Sequence, residues 1–466
     1  MVAIATPRRQ LTLLWLFGLL TLSLLFFLFF FYHDTSPSVA RNWKAPFVTD
    51  SGLTTFENNG TKGNARVAII ETVGTHDEVT SALVTAFGGL PNVDLTLMLR
   101  QQRYNMQDIM NSFKLASASS KLISHDDLAS MVAGDTPPHV LVSTTCELDL
   151  ENKPTEFRDL LTKGETYLFC LMHHADRWGD GQHVDIIREY IEKGMADFIG
   201  LSQHTVDFLH RDTAEKWDRE LNYTAHVLPP VFSVKLPDTD PEGLSLAMQG
   251  DYSSGRRNYQ HTFEQLGHVI GELRAKAGAD EEKNKKVTLH VIGHGEIPSV
   301  PDDLKSNVVF DQDLSYPDFY RTLSGAFTII PAFADEGYLD RKASSTVPAA
   351  LIAGAPIVAS EQLLAAYTYL PREAVWLSEP GEDEMDTIKR FVGDMAGYQE
   401  RMGRVKETRE RLIQDNIKNV GEWIKEALAK VEAVKKDRGV QRRNARGNSM
   451  LGYLRFMLSM NCILMI

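Results

Sequence analysis

From Ala65 to Leu377 the chain alternates short apolar runs with amphipathic stretches, and this rhythm constrains the fold more than any other feature. Residues 66–71 (R-V-A-I-I-E) read as a strand, 76–90 as an amphipathic helix ending at Gly88-Gly89, and 93–99 as the next strand. Residues 139–143, 167–172 and 196–201 have the length and apolar content of buried strands, and 226–232 closes this half at Pro229-Pro230. A polar segment at 233–248 reads as a linker, and the rhythm resumes near Met248. Alternation of this kind implies α/β architecture, with parallel sheets covered on both faces.

A chain of 466 residues has room for two or three domains. The net charge of −13, with no basic stripe through the body, argues against a nucleic-acid binder. Three cysteines provide neither a disulfide framework nor metal-ligand spacing. Cys146 and Cys170 adjoin apolar runs and read as buried thiols, with one disulfide between them as the alternative.

Residues 11–32 carry no charge and are dominated by Leu and Phe. As a helix they reach about 33 Å at ~1.5 Å per residue, enough to cross a hydrocarbon core. The apolar run is longer than a signal-peptide core, although Ser38-Val39-Ala40 resembles a cleavage site. Arg8 and Arg9 precede the span, so the positive-inside rule predicts a cytosolic tail (1–10), a transmembrane helix (11–32) and a lumenal body. Residues 33–64 read as a stem, and the sequons at Asn59 and Asn222 agree with a lumenal glycoprotein. The expectation is a single-pass type II protein of the Golgi or endoplasmic reticulum membrane.

The richest local signal is P-A-F-A-D-E-G-Y-L-D-R-K-A-S-S-T-V-P-A-A-L-I-A-G-A-P-I-V-A-S, residues 331–360. A strand ends in a loop carrying Glu336. The hydroxyls Ser344, Ser345 and Thr346 precede an apolar helix, which Gly354 and Pro356 break before another strand. An acid past a strand end suits ribose hydroxyls, and a helix start suits phosphate. Upstream lie V-T-L-H-V-I-G-H-G-E and then N-V-V-F-D-Q-D-L-S-Y-P-D-F-Y-R-T-L-S-G-A-F-T-I-I-P-A. From Val287 to about Leu377 this series resembles the C-terminal half of GT-B glycosyltransferases, in the glycogen-synthase and sucrose-synthase-like branch. The whole chain resembles fungal type II membrane glycosyltransferase-like proteins.

The resemblance implies two Rossmann-like domains facing a cleft: an acceptor domain at 65–235 and a nucleotide-sugar domain at 243–382. C-terminal helices at 383–440 would cross back onto the first domain, and 441–466 form a tail without an assigned role. It implies a glycosyltransferase of the secretory pathway, metal-independent and retaining. The donor nucleotide sugar serves as co-substrate in place of a cofactor, and the acceptor is a glycan, protein or lipid.

For the diphosphate the candidates are Arg256 and Arg257, in G-D-Y-S-S-G-R-R-N-Y, with Ser344, Ser345 and Thr346. Gly293 and Gly295 form a turn where backbone approaches the nucleoside. Glu336 is expected to hold the ribose and to belong to the catalytic set with His174 and His173, from L-M-H-H-A-D-R-W. Asp77 and Glu78 read either as cleft acids or as first-turn helix acids. The family often carries a second glutamate, but this chain has Ser344 or Ala349 there, depending on the alignment. That departure keeps open a catalytically inactive binding or scaffold subunit. Another alternative is a metal-dependent GT-A enzyme using Asp311 and Asp313; the triplet at Asp238 and Asp240 lies in the linker.

Overall fold

Two separate sheets carry the strand–helix rhythm. The computed structural model describes residues 41–43, 64–117, 119–217, 221–237, 243–277 and 287–463. The expected membrane span at 11–32, Asn59 and the triplet at 238–240 lie outside the described residues. Among those described, no helix is long and apolar enough to cross a membrane.

The first sheet contains β1 (Arg41–Trp43), β2 (Ala65–Glu71), β3 (Val93–Leu99), β4 (Ser119–Ser124), β5 (Val140–Ser143), β6 (Tyr167–Met172), β7 (Ala196–Gly200) and β8 (Ala225–Val227). Its order is β1-β4-β3-β2-β5-β6-β7-β8, with β1 antiparallel to β4 and the other pairs parallel. The second sheet contains β9 (Leu244–Gln249), β10 (Val287–Gly293), β11 (Val308–Gln312), β12 (Thr328–Ile329), β13 (Ile357–Ala359) and β14 (Val375–Leu377). Its order is β11-β10-β9-β12-β13-β14, parallel throughout. In each sheet the winding reverses once, between β2 and β5 and between β9 and β12. The carboxyl ends of strands beside such a reversal form a ready-made crevice for a ligand.

Several details differ from the sequence reading. Arg41–Trp43, inside the expected stem, pairs as an edge strand. Strand β4 was not anticipated: S-S-K-L-I-S has only two large apolar residues, and most of its described positions stay partly exposed. Strand β8 ends at Val227, because Pro229 and Pro230 have no N–H for a ladder, although Leu228, Val231 and Phe232 are still buried. The second sheet begins at Leu244, ahead of Met248. Cys146 and Cys170 are joined as a disulfide, not held as thiols, and both are fully buried.

One helix, Met395–Ile463, ties the two halves together. No proline follows Pro380, so nothing in the sequence forces a stop. Near its start, Arg401 Nε donates to Val375 O (3.0 Å) and Arg409 Nη1 to Ile352 O (2.9 Å), both in the second domain. Farther on, Asn416 donates to Pro229 O (2.8 Å), Lys430 pairs with Asp197 (3.2 Å), and Arg438 donates to Thr162 O (2.8 Å), all in the first. The helix runs through residue 440 without interruption.

Candidate functional site

The carboxyl ends of both sheets open onto a common cleft of about 590 Å³. That volume lies within the range of ~300–1,000 Å³ typical of small-molecule sites.

The second domain's wall is built around a buried cation. Arg257 is only 3% exposed. Its Nε donates to Gln249 O (2.9 Å), its Nη1 to Arg256 O (3.0 Å) and its Nη2 to Thr346 Oγ1 (2.7 Å). The guanidinium also lies 5.5 Å from the Phe333 ring and 5.7 Å from that of Tyr338. Among the described residues no carboxylate forms an ion pair with it. Burial lowers its pKa, but a guanidinium remains cationic at neutral pH. The outcome is a preorganised positive charge that lacks an anion.

Gln249, at the end of β9, donates to Thr346 Oγ1 (3.0 Å) and Ser345 Oγ (3.2 Å). These bonds fasten the start of the helix Thr346–Ala353 beside Arg257. Ser345 occupies the N-cap without a side-chain cap bond and is exposed, while Ser344 and Thr346 are buried. Gly354 ends this helix at φ +74°, the left-handed conformation that Gly adopts without a side-chain clash. Arg256 lines the cleft and pairs with Asp251 (2.9 Å). Gly293 also lines it, and a Cβ there would meet Gly250 O at 2.0 Å, so only glycine fits. Gly295 does not line the cleft; its carbonyl accepts from Gln312 Nε2 (3.2 Å).

Glu336 is the main correction. It is exposed and does not line the cleft, where a ribose-binding acid was expected to lie. The loop is pinned by its neighbours. Asp335 accepts from Gly337 N (2.8 Å) and pairs with Lys342 and Arg341. Beyond it the loop crosses to the first domain: Ala175 N donates to Arg341 O (2.9 Å), Arg341 pairs with Asp176 (3.3 Å), and Arg211 with Asp340 (2.9 Å). His204 adds ring contacts to Ala366 O (2.8 Å) and Lys342 O (3.1 Å). A loop used for these contacts leaves Glu336 in solvent. Ala349, one of the two positions considered for the absent second acid, is an apolar part of the cleft wall.

Neutral imidazoles line the first domain's wall. His173 stacks on His76 with ring centroids 3.9 Å apart. His173 Nε2 lies 2.8 Å from Thr144 O; a carbonyl only accepts, so this nitrogen carries the proton. Burial lowers the pKa of His173 to about 4, and burial followed by Arg177 does the same for His174. Burial also depresses His76, helped by the neighbouring His173. His174 lies 3.9 Å from Asp176 and bridges through its backbone to Lys342. At neutral pH these rings are uncharged and offer hydrogen-bonding nitrogens to the cleft.

Sequence reasoning missed several cleft residues. Tyr316 of the second domain donates to Glu78 of the first (3.0 Å), and its N–H donates to Tyr104 O (2.6 Å). Glu78, read from the sequence as either a cleft acid or a first-turn helix acid, lines the cleft, while Asp77 beside it is buried against Arg103 (3.4 Å). Glu147, in the first turn of the helix Cys146–Asn152, lines the cleft as well. A first-turn glutamate looks like an ordinary helix acid, so its sequence gives no signal. Gln249, a polar residue closing an apolar strand, was detectable in principle.

Asp311 and Asp313 do not act together. Asp311 is held by His290 (2.7 Å) and lies outside the cleft lining, whereas Asp313 lines the cleft near Tyr104. Among the described residues no group of three His, Cys, Asp or Glu side chains is placed to hold a metal ion.

No family model matches the chain, and no curated protein matches it. Solved structures do resemble it. Sucrose-phosphate synthase from Thermosynechococcus elongatus superposes with a TM-score of 0.50 at 13% identity, over 78% of this chain and 100% of that one. HepE from Anabaena, in complex with UDP and glucose, gives 0.49 at 10% identity, over 78% and 99%. At such identities the likeness concerns the fold: two parallel-sheet α/β domains in the GT-B arrangement. The GT-A alternative is set aside by this two-sheet architecture.

Proposed function

We propose that the chain is a glycosyltransferase that moves a sugar from a nucleotide-sugar donor to a hydroxyl-bearing glycan, protein or lipid. The observation that carries this reading is Arg257: a buried, rigid cation without an ion-paired acid among the described residues, beside a helix start, at the strand reversal of the second sheet. A diphosphate is the anion such a corner accommodates. As the sugar–phosphate bond breaks, negative charge gathers on the leaving diphosphate, and a fixed cation stabilises it there. The reaction we propose is metal-independent and retaining. The neutral histidines of the opposite wall would then position the sugar and need not take a proton.

We place the protein in the secretory pathway as a type II membrane protein. A disulfide in the first domain supports an oxidising compartment, and the exposed Asn222 sequon supports lumenal exposure. Glycosidase treatment should increase gel mobility, and Asn59→Gln with Asn222→Gln should abolish that change.

A second reading, a binding subunit without catalysis, is favoured by Glu336 lying in solvent and by the apolar Ala349 in the cleft wall. Donor hydrolysis by the purified protein, with and without EDTA, separates the two. EDTA-insensitive hydrolysis supports the enzyme, and nucleotide binding without turnover supports the subunit. Absence of any nucleotide binding overturns both.

A further inference from the structure

Glu147 is the acid that the cleft leaves open. It is 2% exposed, and its Oε2 is buried without a hydrogen-bond partner among the described residues. The other acids of the cleft wall are engaged: Glu78 by Tyr316 (3.0 Å), Asp251 by Arg256 (2.9 Å) and His294 (3.0 Å), and Asp313 by Tyr104 (3.4 Å). A buried polar oxygen without a partner is costly, so such groups in folded proteins call for an explanation.

The position of Glu147 is rigid. Cys146 before it is bonded to Cys170 on β6. Asp149 after it is fully buried and accepts from Thr72 N (2.8 Å), Thr72 Oγ1 (2.6 Å), Ser143 Oγ (2.7 Å) and Thr145 N (3.1 Å). The helix thus holds the carboxyl at the strand reversal of the first sheet, facing the same cleft as Arg257.

We propose that Glu147 reads the sugar of the bound nucleotide sugar, through a hydrogen bond between its open carboxyl oxygen and a sugar hydroxyl. This rests on the nucleotide-sugar reading of the cleft. A phosphate would be repelled by an acid, whereas Arg257 on the second domain's wall attracts it. The sugar is bonded to that diphosphate, and Glu147 lines the same cleft as Arg257 from the first domain's wall. A hydroxyl both donates and accepts, and so matches either protonation state of a carboxyl. Burial raises the pKa of Glu147 to about 7, against its own backbone N–H and Arg177. The group accordingly serves as donor as well as acceptor near neutral pH.

The test compares two ligands on the full-length protein by titration calorimetry. The probes are uridine, guanosine and adenosine diphosphates, each against its glucose conjugate. For the nucleotide that binds, Glu147→Ala should weaken the conjugate about tenfold while leaving the diphosphate within about twofold. Glu147→Gln should keep most of the conjugate affinity, because its amide also donates and accepts. Ligand-free Glu147→Ala should melt at or above the wild-type temperature, a result that a purely structural role would reverse. Should the alanine variant fail to fold, Glu147→Asp decides: its retracted carboxyl should lose the conjugate selectively. Equal effects on both ligands, or none on either, would overturn the assignment while leaving the nucleotide site intact. If no diphosphate binds the wild type, the function itself falls, and this assignment with it.

Discussion

Arg257 Nη2 donates to Thr346 Oγ1 over 2.7 Å, joining the residues that follow β9 to the helix that follows β12. The same hydroxyl accepts from Gln249 Nε2 (3.0 Å), so two segments about ninety residues apart in sequence share one fixed corner. With its oxygen occupied by two donors, Thr346 orients the guanidinium and adds no negative charge. Removing the cation should therefore remove the attraction for an anion. Arg257→Ala is expected to weaken nucleoside diphosphate binding about ten- to a hundredfold, the cost of one or two lost charge-assisted bonds. Turnover should fall more than binding, since leaving-group charge grows toward the transition state. Calorimetry with steady-state rates checks both; an unchanged diphosphate affinity would remove the basis for this site.

Tyr316 and Glu78 form one of the hydrogen bonds that join the two domains at the cleft. Burial raises the pKa of the Glu78 carboxyl, and Tyr316 partly offsets the shift. Tyr316→Phe leaves that carboxyl with one partner fewer and is expected to cost about 1–3 kcal/mol. Urea unfolding measures the loss. Tyr316→Phe with Glu78→Leu should recover part of it, because the second change removes the stranded acid.

Asp149 has a different stake. Four hydrogen bonds converge on its carboxylate from β5, from the turn after β2 and from the residue that caps its own helix. Asp149→Ala strands several buried donors and is expected to cost about 3–5 kcal/mol. Asp149→Asn, which keeps one acceptor oxygen, should cost less. Thermal unfolding with and without reductant adds a comparison. The Cys146–Cys170 bond closes a loop with a sequence separation of 24, and its reduction should cost about 3 kcal/mol in the chain-entropy account.

Glu384 sets a pH dependence in the second domain. Its carboxyl accepts from Ala332 N (2.9 Å), and burial raises its pKa to about 7 despite that bond. The folded state then holds this proton more tightly than the unfolded chain does. Its contribution to stability is complete at low pH and is lost as pH rises from about 4.5 through about 7. Glu384→Gln cannot ionise and escapes that loss. The melting temperature of the variant relative to wild type should be higher at about pH 8 than at about pH 4. A difference that stays flat with pH would show that the carboxyl ionises freely.

The alternation of apolar runs and amphipathic segments was sufficient to imply two wound parallel sheets, because a strand hidden on both faces has to be apolar throughout. Local backbone chemistry was equally legible. Gly354 ends its helix in the left-handed conformation, and Gly293 sits where a side chain would strike Gly250. Motif order placed Arg257, His173, His174 and Ser345 on the walls of the cleft. What the sequence did not contain was the partner of each charge. Glu336 looked like a ligand-binding acid, yet a loop held by Asp335 and crossing to Asp176 and Arg211 leaves it in water. Glu147 looked like a helix acid, yet tertiary packing buries it and leaves one oxygen unpaired. Glu78 meets Tyr316 across 238 residues of sequence. A carboxylate's role depends on its burial and on what opposes it. Both are set by segments distant in the chain, so only the folded structure could decide which acids serve the cleft.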